Sequence, residues 1–469
     1  MIVSPAFAGK RYAVLGLARS GMTAVRTLLE SGASVMAWDS RDEPRQAVLD
    51  ANPEACAQGR CELADPVGAD LAGFDGVVVS PGVPLNSHPI AAAAARAGVP
   101  VIGDIELFAL ARQDLPEHRV VGITGTNGKS TTTSLVRHLL EEAGVPARMG
   151  GNIGLPVLGT DPLEPTASAS GVYVLELSSY QIDLTHNLDC DVAALLNVTP
   201  DHLDRYEGFA GYAASKARLF AMQADTRAAV FGRGDETTLG IAAREERRRT
   251  PGCVQRVDGA DLAELQPGWP SLQGPHNLQN AAVAVAVVEA LGLTRAQWEP
   301  ALRTFCGLPH RMERVAEANG VLYINDSKAT NPASAAPAIA AFRPDPAPRI
   351  HWILGGLPKG DNLDECKPWF GNIKAAYTIG DAGHLFAEIL EPYTHVVRSE
   401  MMAEAIRQAM EAAVPGDVVM LSPACASFDQ FRDYEARGMA FRQIVEALLE
   451  PAGEGAGATA SATGGAKAR

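Results

Sequence analysis

Short, nearly continuous apolar runs recur along this chain, and each ends in a cluster of glycine and polar residues. Apolar runs without alternation are what strands of a parallel sheet look like when both faces are buried. The first, Arg11 to Leu15, leads into Gly16-Leu17-Ala18-Arg19-Ser20-Gly21 and then a helical stretch to Glu30. A second, Ser34 to Trp38, ends in Asp39-Ser40-Arg41, and a third, Gly76 to Val79, in Ser80-Pro81-Gly82. Near residue 119 the pattern restarts with a strand, a glycine-rich loop and a helix from Lys129 to Ala143. Val172 to Leu175 then runs into Glu176-Leu177-Ser178-Ser179, and Val192 to Leu196 into Asn197-Val198-Thr199-Pro200-Asp201-His202. A third restart follows Arg311. Val321 to Ile324 ends in Asn325-Asp326-Ser327-Lys328, Ile350 to Leu354 in Gly355-Gly356, Ala376 to Ile379 in Gly380-Asp381, and Val418 to Leu421 in Ser422-Pro423.

The carboxyl ends of parallel strands form the ligand edge of an α/β sheet, so these clusters are expected to line clefts. Three restarts predict three α/β domains, at 1–103, 104–307 and 308–450. The tail 451–469, PAGEGAGATASATGGAKAR, has no apolar periodicity and is expected to be disordered. The composition, 47% hydrophobic and 20% charged, supplies enough apolar material for cores of that size. A net charge of -15 argues against nucleic acid or an anionic membrane as the main partner. No apolar run reaches the roughly 20 residues that span a bilayer. The best, AAVAVAVVEAL at 281–291, is interrupted by Glu289. The N-terminus lacks the basic and apolar segments of a secretion signal. The seven cysteines include no Cys-x-x-Cys and suit scattered thiols in a reducing compartment, so the chain is expected to be cytoplasmic.

The loop Gly125-Thr126-Asn127-Gly128-Lys129-Ser130 follows a strand and opens a helix. Such a loop turns backbone N–H groups and a helix N-terminus toward an anion. Lys129 suits the terminal phosphates of a nucleoside triphosphate, and the Ser130 or Thr131 hydroxyl suits Mg²⁺. Ile123 stands where the commonest form of this loop has its first glycine. By contrast, Gly16 and Gly21 alone are a weak dinucleotide signal, because Ala18 replaces the middle glycine. Glu176 at a strand end is an ordinary magnesium ligand. His202 taken alone reads as a hydrogen-bonding loop residue, and Lys216, opening KARLFAMQ, as a solvated surface lysine.

Taken in order, the phosphate loop, Glu176-Leu177-Ser178-Ser179, Asn197 to His202, His276-Asn277 with Asn280, Pro309-His310-Arg311 and Asp326-Ser327-Lys328-Ala329-Thr330-Asn331 resemble the motifs of the Mur ligases. These are ATP-dependent amide-forming enzymes of cell-wall precursor synthesis. The resemblance runs from about residue 11 to 447. The stretches Gly103 to Phe108, Gly150 to Gly154 and Leu421 to Phe431 are similar to the D-glutamate-adding branch, and the Asp-Asn-Pro-Arg motif of another branch is missing.

The resemblance implies a Rossmann-like N-terminal domain, a central P-loop ATPase domain and a Rossmann-like C-terminal domain. It implies ATP and Mg²⁺ or Mn²⁺ as cofactors, UDP-N-acetylmuramoyl-L-alanine and D-glutamate as substrates, and a monomer. By position, Gly125, Thr126, Asn127, Gly128, Lys129, Ser130, Thr131, Asn277, Asn280, Arg311 and Asp326 would contact ATP. Arg19, Ser20, Asp39, Ser40, Arg41, Ser80, Gly82 and Asn152 would hold the UDP substrate. Lys328, Thr330, Lys359, Ser427 and Tyr434 would meet D-glutamate, and Ser130, Glu176, His202 and Lys216 the metal. Lys129, His202 and Lys216 would be catalytic, with Lys216 carbamylated. Two departures bear on the amino-acid site: Leu357 replaces an aspartate of many relatives, and Tyr434 a phenylalanine.

Overall fold

The computed structural model describes residues 1–201 and 205–450. His202 and the tail 451–469 therefore lie outside the described residues. The chain divides into two compact units, the first being Met1–Gly307 and the second beginning at Leu308.

The first unit holds two parallel sheets. One contains β1 (Arg11–Leu15), β2 (Ser34–Trp38), β3 (Cys61–Leu63), β4 (Gly76–Val79) and β5 (Val101–Ile102), in the order β3-β2-β1-β4-β5. The other contains β6 (His118–Thr124), β7 (Ala147–Gly151), β8 (Gly171–Glu176), β9 (Val192–Leu195), β10 (Ala228–Gly232) and β11 (Val254–Val257), in the order β11-β10-β9-β6-β8-β7. The order reverses beside β1 in the first sheet and beside β6 in the second, and at each such point a glycine loop leaves the strand.

Both faces of these sheets are buried at their central strands, which is why β1, β4, β6, β8 and β9 are largely apolar. Tyr12, Val14, Val35 and Val78 point into one core that continues through Val120, Tyr173, Leu175, Ala193 and Leu195. That shared core binds the first two sheets into one unit. Ala13, Leu15, Val77 and Val79 fill the opposite face of the first sheet. Val121, Ile123, Val172, Val174 and Val192 pack on the opposite face of the second. The helix Pro275–Ala290 covers that face, with every residue from Asn280 to Val288 buried. The apolar run at 281–291 is thus a core helix, and no helix among the described residues is long and apolar enough to cross a membrane.

The second unit has one sheet of β12 (Glu313–Ala318), β13 (Val321–Asn325), β14 (Ile350–Gly355), β15 (Ile373–Ile379), β16 (His395–Glu400) and β17 (Val418–Leu421), in the order β12-β13-β17-β14-β15-β16. β12 pairs antiparallel with β13, and the other pairs are parallel. All seven cysteines are free thiols.

Candidate active site

The loop Gly125–Gly128 follows β6, and the helix Lys129–Glu142 follows the loop. Gly128 has φ +83, and a Cβ there would lie 2.2 Å from Asn280 Oδ1. Only glycine fits, because Asn280 is buried against the loop at that point. Asn280 Nδ2 donates to Asn277 Oδ1 at 3.3 Å, so the two asparagines predicted for ATP sit together beside the phosphate loop. Lys129 Nζ donates to the carbonyls of Gly125 (2.9 Å) and Thr126 (2.7 Å). Ser130 is buried and Thr131 half-buried at the start of the helix.

Lys216 corrects the expectation of a solvated lysine. It does not open a helix but lies inside Gly208–Ala221, and it is 1% exposed. That helix turns Lys216 inward beneath the phosphate loop, where Nζ donates to the Gly125 carbonyl at 2.8 Å and lies 4.6 Å from the Tyr212 ring centre. Two lysine nitrogens thus share one carbonyl. Burial first, and the nearby Lys129 charge second, pull Lys216 down to about 7, against the opposing pull of Asp201 and Asp183. Tyr212, which motif reading did not single out, shares a 3.2 Å hydrogen bond with Thr126 Oγ1.

Glu176 ends β8 and is buried. Asn152 Nδ2 donates to its Oε1 at 3.1 Å, while its Oε2 has no hydrogen-bond partner among the described residues. A buried carboxylate oxygen without a partner costs free energy unless a cation or donor reaches it. The residues present therefore fit a hard cation such as Mg²⁺. Among the described residues, no three of His, Cys, Asp and Glu gather into a metal-binding set.

In the first sheet, the helix Arg19–Glu30 begins beside Gly16. A Cβ on Gly21 would come within 1.8 Å of the Gly16 carbonyl, which explains that glycine pair. Asp39 accepts from the Leu17 N–H at 2.8 Å, the Arg41 N–H at 3.0 Å and Arg41 Nε at 3.2 Å. Burial would raise the Asp39 carboxyl, but these donors outweigh it and hold it below the ordinary range. Ser80 Oγ donates to the Gly16 carbonyl at 2.7 Å. Asp39 and Ser80 therefore build the loop itself, while Arg19, Ser40, Arg41 and Gly82 are exposed and Ser20 half-buried around it. Arg205 ties the neighbouring turn down, donating to the carbonyls of Gly82 (3.2 Å) and Val83 (3.3 Å) while lying over Tyr180. A cavity of about 100 Å³ opens there, lined by Pro81, Val83, Asn86, Tyr180 and Arg205.

In the second unit, Arg311 is flanked by His310 (φ 64) and Met312 (φ 47), both in the left-handed region. Such backbone persists where surrounding bonds over-determine it. Met312 N–H and Ser422 Oγ donate to Asp326 at 3.1 and 2.8 Å, and His310 N–H donates to Glu313 at 2.9 Å. Burial pushes Asp326 up to about 7 in spite of those bonds and Arg311. Lys328 Nζ sits 3.7 Å from the Tyr434 ring centre, and Lys359 Nζ donates to Thr330 Oγ1 at 3.2 Å. Ser427 is buried in the loop after β17. Leu357 extends the sheet edge, exchanging two 3.0 Å backbone bonds with Ala426. These bonds use only its peptide, so the loop forms without the aspartate of many relatives.

Arg437 was not singled out from sequence, and in the helix Tyr434–Leu449 it looks like any surface charge. It is 1% exposed and donates to Ser327 Oγ, to the Ser327 carbonyl, and to the carbonyls of Cys425 and Ala426. It thereby fixes the Lys328 and Ser427 segments relative to each other.

Comparison with known proteins identifies this arrangement. The Mur ligase middle domain matches residues 123–256, the Mur ligase glutamate ligase domain 310–425, and the MurD-like N-terminal domain of Mur ligases 10–103. The chain belongs to the Mur ligase family. It is 68% identical over 450 residues to the UDP-N-acetylmuramoylalanine–D-glutamate ligase of Novosphingobium aromaticivorans, covering 96% of this chain and 97% of that one. It is 58% identical to the enzyme of the same name from Sphingopyxis alaskensis, covering 96% of this chain and 100% of the relative. The fold is that of a solved Mur ligase, UDP-N-acetylmuramate–alanine ligase MurC from Thermotoga maritima, with a TM-score of 0.55 at 16% identity, covering 94% of this chain and 99% of that one.

Proposed function

We propose that this Mur ligase joins D-glutamate to UDP-N-acetylmuramoyl-L-alanine at the expense of ATP. The observation that carries the reading is 68% identity, over nearly the whole chain, to a ligase of that name. Lys129 at the Gly125 carbonyl supports it, because phosphorylating a carboxylate brings two anions together and needs local positive charge.

The reaction has two steps. A carboxylate oxygen of the UDP substrate attacks the γ-phosphorus of ATP, and ADP leaves. The amino nitrogen of D-glutamate then attacks the acyl-phosphate carbon, phosphate departs with the C–O bond, and the amine's proton passes to solvent. We assign the phosphates to the N–H groups of Gly125 to Thr131, with Lys129 turning from its loop carbonyls to the transferred group. Asn277, Asn280, Arg311 and Asp326 are assigned to the nucleotide, Arg311 by its bidentate fork. Arg19, Ser20, Asp39, Ser40, Arg41, Ser80, Gly82 and Asn152 are assigned to the UDP substrate. Lys328, Thr330, Lys359, Ser427 and Tyr434 are assigned to D-glutamate, whose two carboxylates suit two lysines.

Glu176, Ser130, Lys216 and His202 are the residues we assign to Mg²⁺ or Mn²⁺. The metal, when bound, offsets charge between carboxylate and phosphate oxygens. Lys216 would serve as a carbamate: the ammonium first gives one proton to water, the neutral amine nitrogen attacks the carbon of CO₂, and a second proton goes to water, so that a cation becomes an anion. An amine held near 7 is ready for that step at neutral pH. ATP and UDP-activated sugars are cytoplasmic metabolites, so the proposed reaction runs in the cytoplasm.

The test is ADP release by the full chain with UDP-N-acetylmuramoyl-L-alanine and a panel of amino acids. Release that depends on D-glutamate supports the reading. Turnover only with L-alanine, diaminopimelate or L-lysine would replace it with another Mur activity.

A further inference from the structure

A loop whose glycines stand at φ +156 and +83 does not hold its own shape, since glycine leaves the backbone free to move. Regular pairing of β6 with β9 ends at Thr124 and Leu195, just before the loop begins. Beyond that point the pairing continues by other means. Leu196 N–H donates to the Thr124 carbonyl at 3.0 Å, and Thr126 N–H to the Asn197 carbonyl at 2.9 Å. The Asn127 N–H donates to Asn197 Oδ1 at 2.9 Å, and Asn197 Nδ2 donates to the Asn127 carbonyl at 3.1 Å. Thr199 N–H donates to Thr126 Oγ1 at 3.0 Å, and that hydroxyl donates to the Thr199 carbonyl at 3.1 Å. The Asn197 side chain therefore acts as an extra strand peptide, with one donor and one acceptor matched to the peptide of Asn127.

We propose that Asn197 is a positioning residue for the phosphate loop, its amide fixing the Asn127 peptide so that the loop N–H groups face the triphosphate. This rests on the reading of the loop as the ATP site. Only an amide of this length satisfies both groups. Aspartate has the same size, but it would set a second acceptor against the Asn127 carbonyl and add negative charge beside the phosphates. Alanine removes both bonds and adds no charge. Glycine freedom then returns to the loop, and ATP binding must order it again.

The experiment measures ATP binding with Mg²⁺ by titration calorimetry on the full chain, with UDP-N-acetylmuramoyl-L-alanine binding and ligand-free thermal unfolding alongside. Asn197→Ala is expected to weaken ATP roughly tenfold, for two lost bonds, and Asn197→Asp by roughly thirty- to a hundredfold, for one lost bond, an oxygen set against the Asn127 carbonyl and a negative charge beside the phosphates. Affinity for the UDP substrate stays within about twofold, and the unfolding midpoint within about 2 °C, because the bonds lie in a loop outside the cores. Wild-type ATP affinity in Asn197→Ala would overturn the proposal. So would parallel losses of both ligands and of the midpoint, which mark a purely structural role. A wild-type chain that binds the UDP substrate but no ATP would overturn the reading of the loop itself, and this inference with it.

Discussion

A glycine turn leaves a strand and enters a helix at Gly16–Gly21 and again at Gly125–Lys129, and different chemistry braces the two. The first is held by an anion: the Asp39 carboxylate takes the Leu17 N–H, and Ser80 binds the Gly16 carbonyl. The second is held by a neutral amide and hydroxyl, Asn197 and Thr126, and two lysines stand at its first carbonyl. A carboxylate beside a loop repels phosphate and consumes an N–H that would meet it, which suits a turn that seats a ligand without transferring phosphate. Neutral bracing with an added cation, Lys129, suits a turn where negative charge must accumulate. The shape of the turn says that an anion can bind, and the charge of its brace separates holding from transfer.

The strongest way to break this contrast is Lys129→Ala. If the central loop performs transfer, D-glutamate-dependent ADP release should fall by about 10²–10³-fold in kcat, the scale for removing a group that stabilises transition-state charge. Affinity for the UDP substrate, which we assign to the other loop, should not change. Steady-state kinetics with near wild-type kcat would make the two loops equivalent and end the distinction.

Lys216 gives the next largest effect, with opposite signs in activity and stability. Its amine sits near 7 in the folded chain against 10.5 when unperturbed. Between those pH values the unfolded chain holds a proton that the native chain lacks, so this group's contribution to stability rises with pH across that window and is flat below 7. Lys216→Met removes the buried amine. At pH 7 in CO₂-free buffer the variant should be more stable by about 1–4 kcal/mol in denaturant titration, the range for exchanging buried charge for packed apolar volume. Its activity should be lost. Wild-type activity should fall as pH drops through about 7, where the amine protonates and the carbamate cannot form, and bicarbonate should raise it above that pH. A variant less stable than wild type would mean that the amine bond to Gly125 outweighs its desolvation.

The sequence made the motif-bearing strands legible because parallel strands buried on both faces are continuously apolar, and each is followed by its ligand cluster. It concealed the strands that are short or polar. β11 carries Gln255 and Arg256, β16 carries Arg398 and Glu400, and β3 is a single Cys-Glu-Leu. Their pairing comes from neighbouring strands, and a local pattern cannot show it. The site divides the same way. Gly125 to Ser130 is legible because consecutive residues do one job. Lys216 and Arg437 are not, because a charged residue inside a helix gives no local sign of pointing into the protein. Asn197 lies between these cases: its strand-end position was visible, and its two bonds to one peptide were not.

The finest test of the contrast lies at Ser80. Among the described residues its hydroxyl makes one bond, to a carbonyl of the first loop, and a Cβ on Gly16 would approach Ser80 Cβ at 3.0 Å, so the two segments already pack closely. Ser80→Ala keeps that packing and deletes the bond, which is worth about 1 kcal/mol net, or roughly fivefold in an equilibrium constant. The Gly16 carbonyl keeps a route to water, because the loop is only half-buried there, so the full penalty of an orphaned acceptor is not incurred. KM for the UDP substrate should rise by about that factor, with KM for ATP and kcat unchanged. A change in ATP binding instead would show that the two turns communicate through the core they share, and the division between a holding loop and a transferring loop would have to be redrawn as one coupled site.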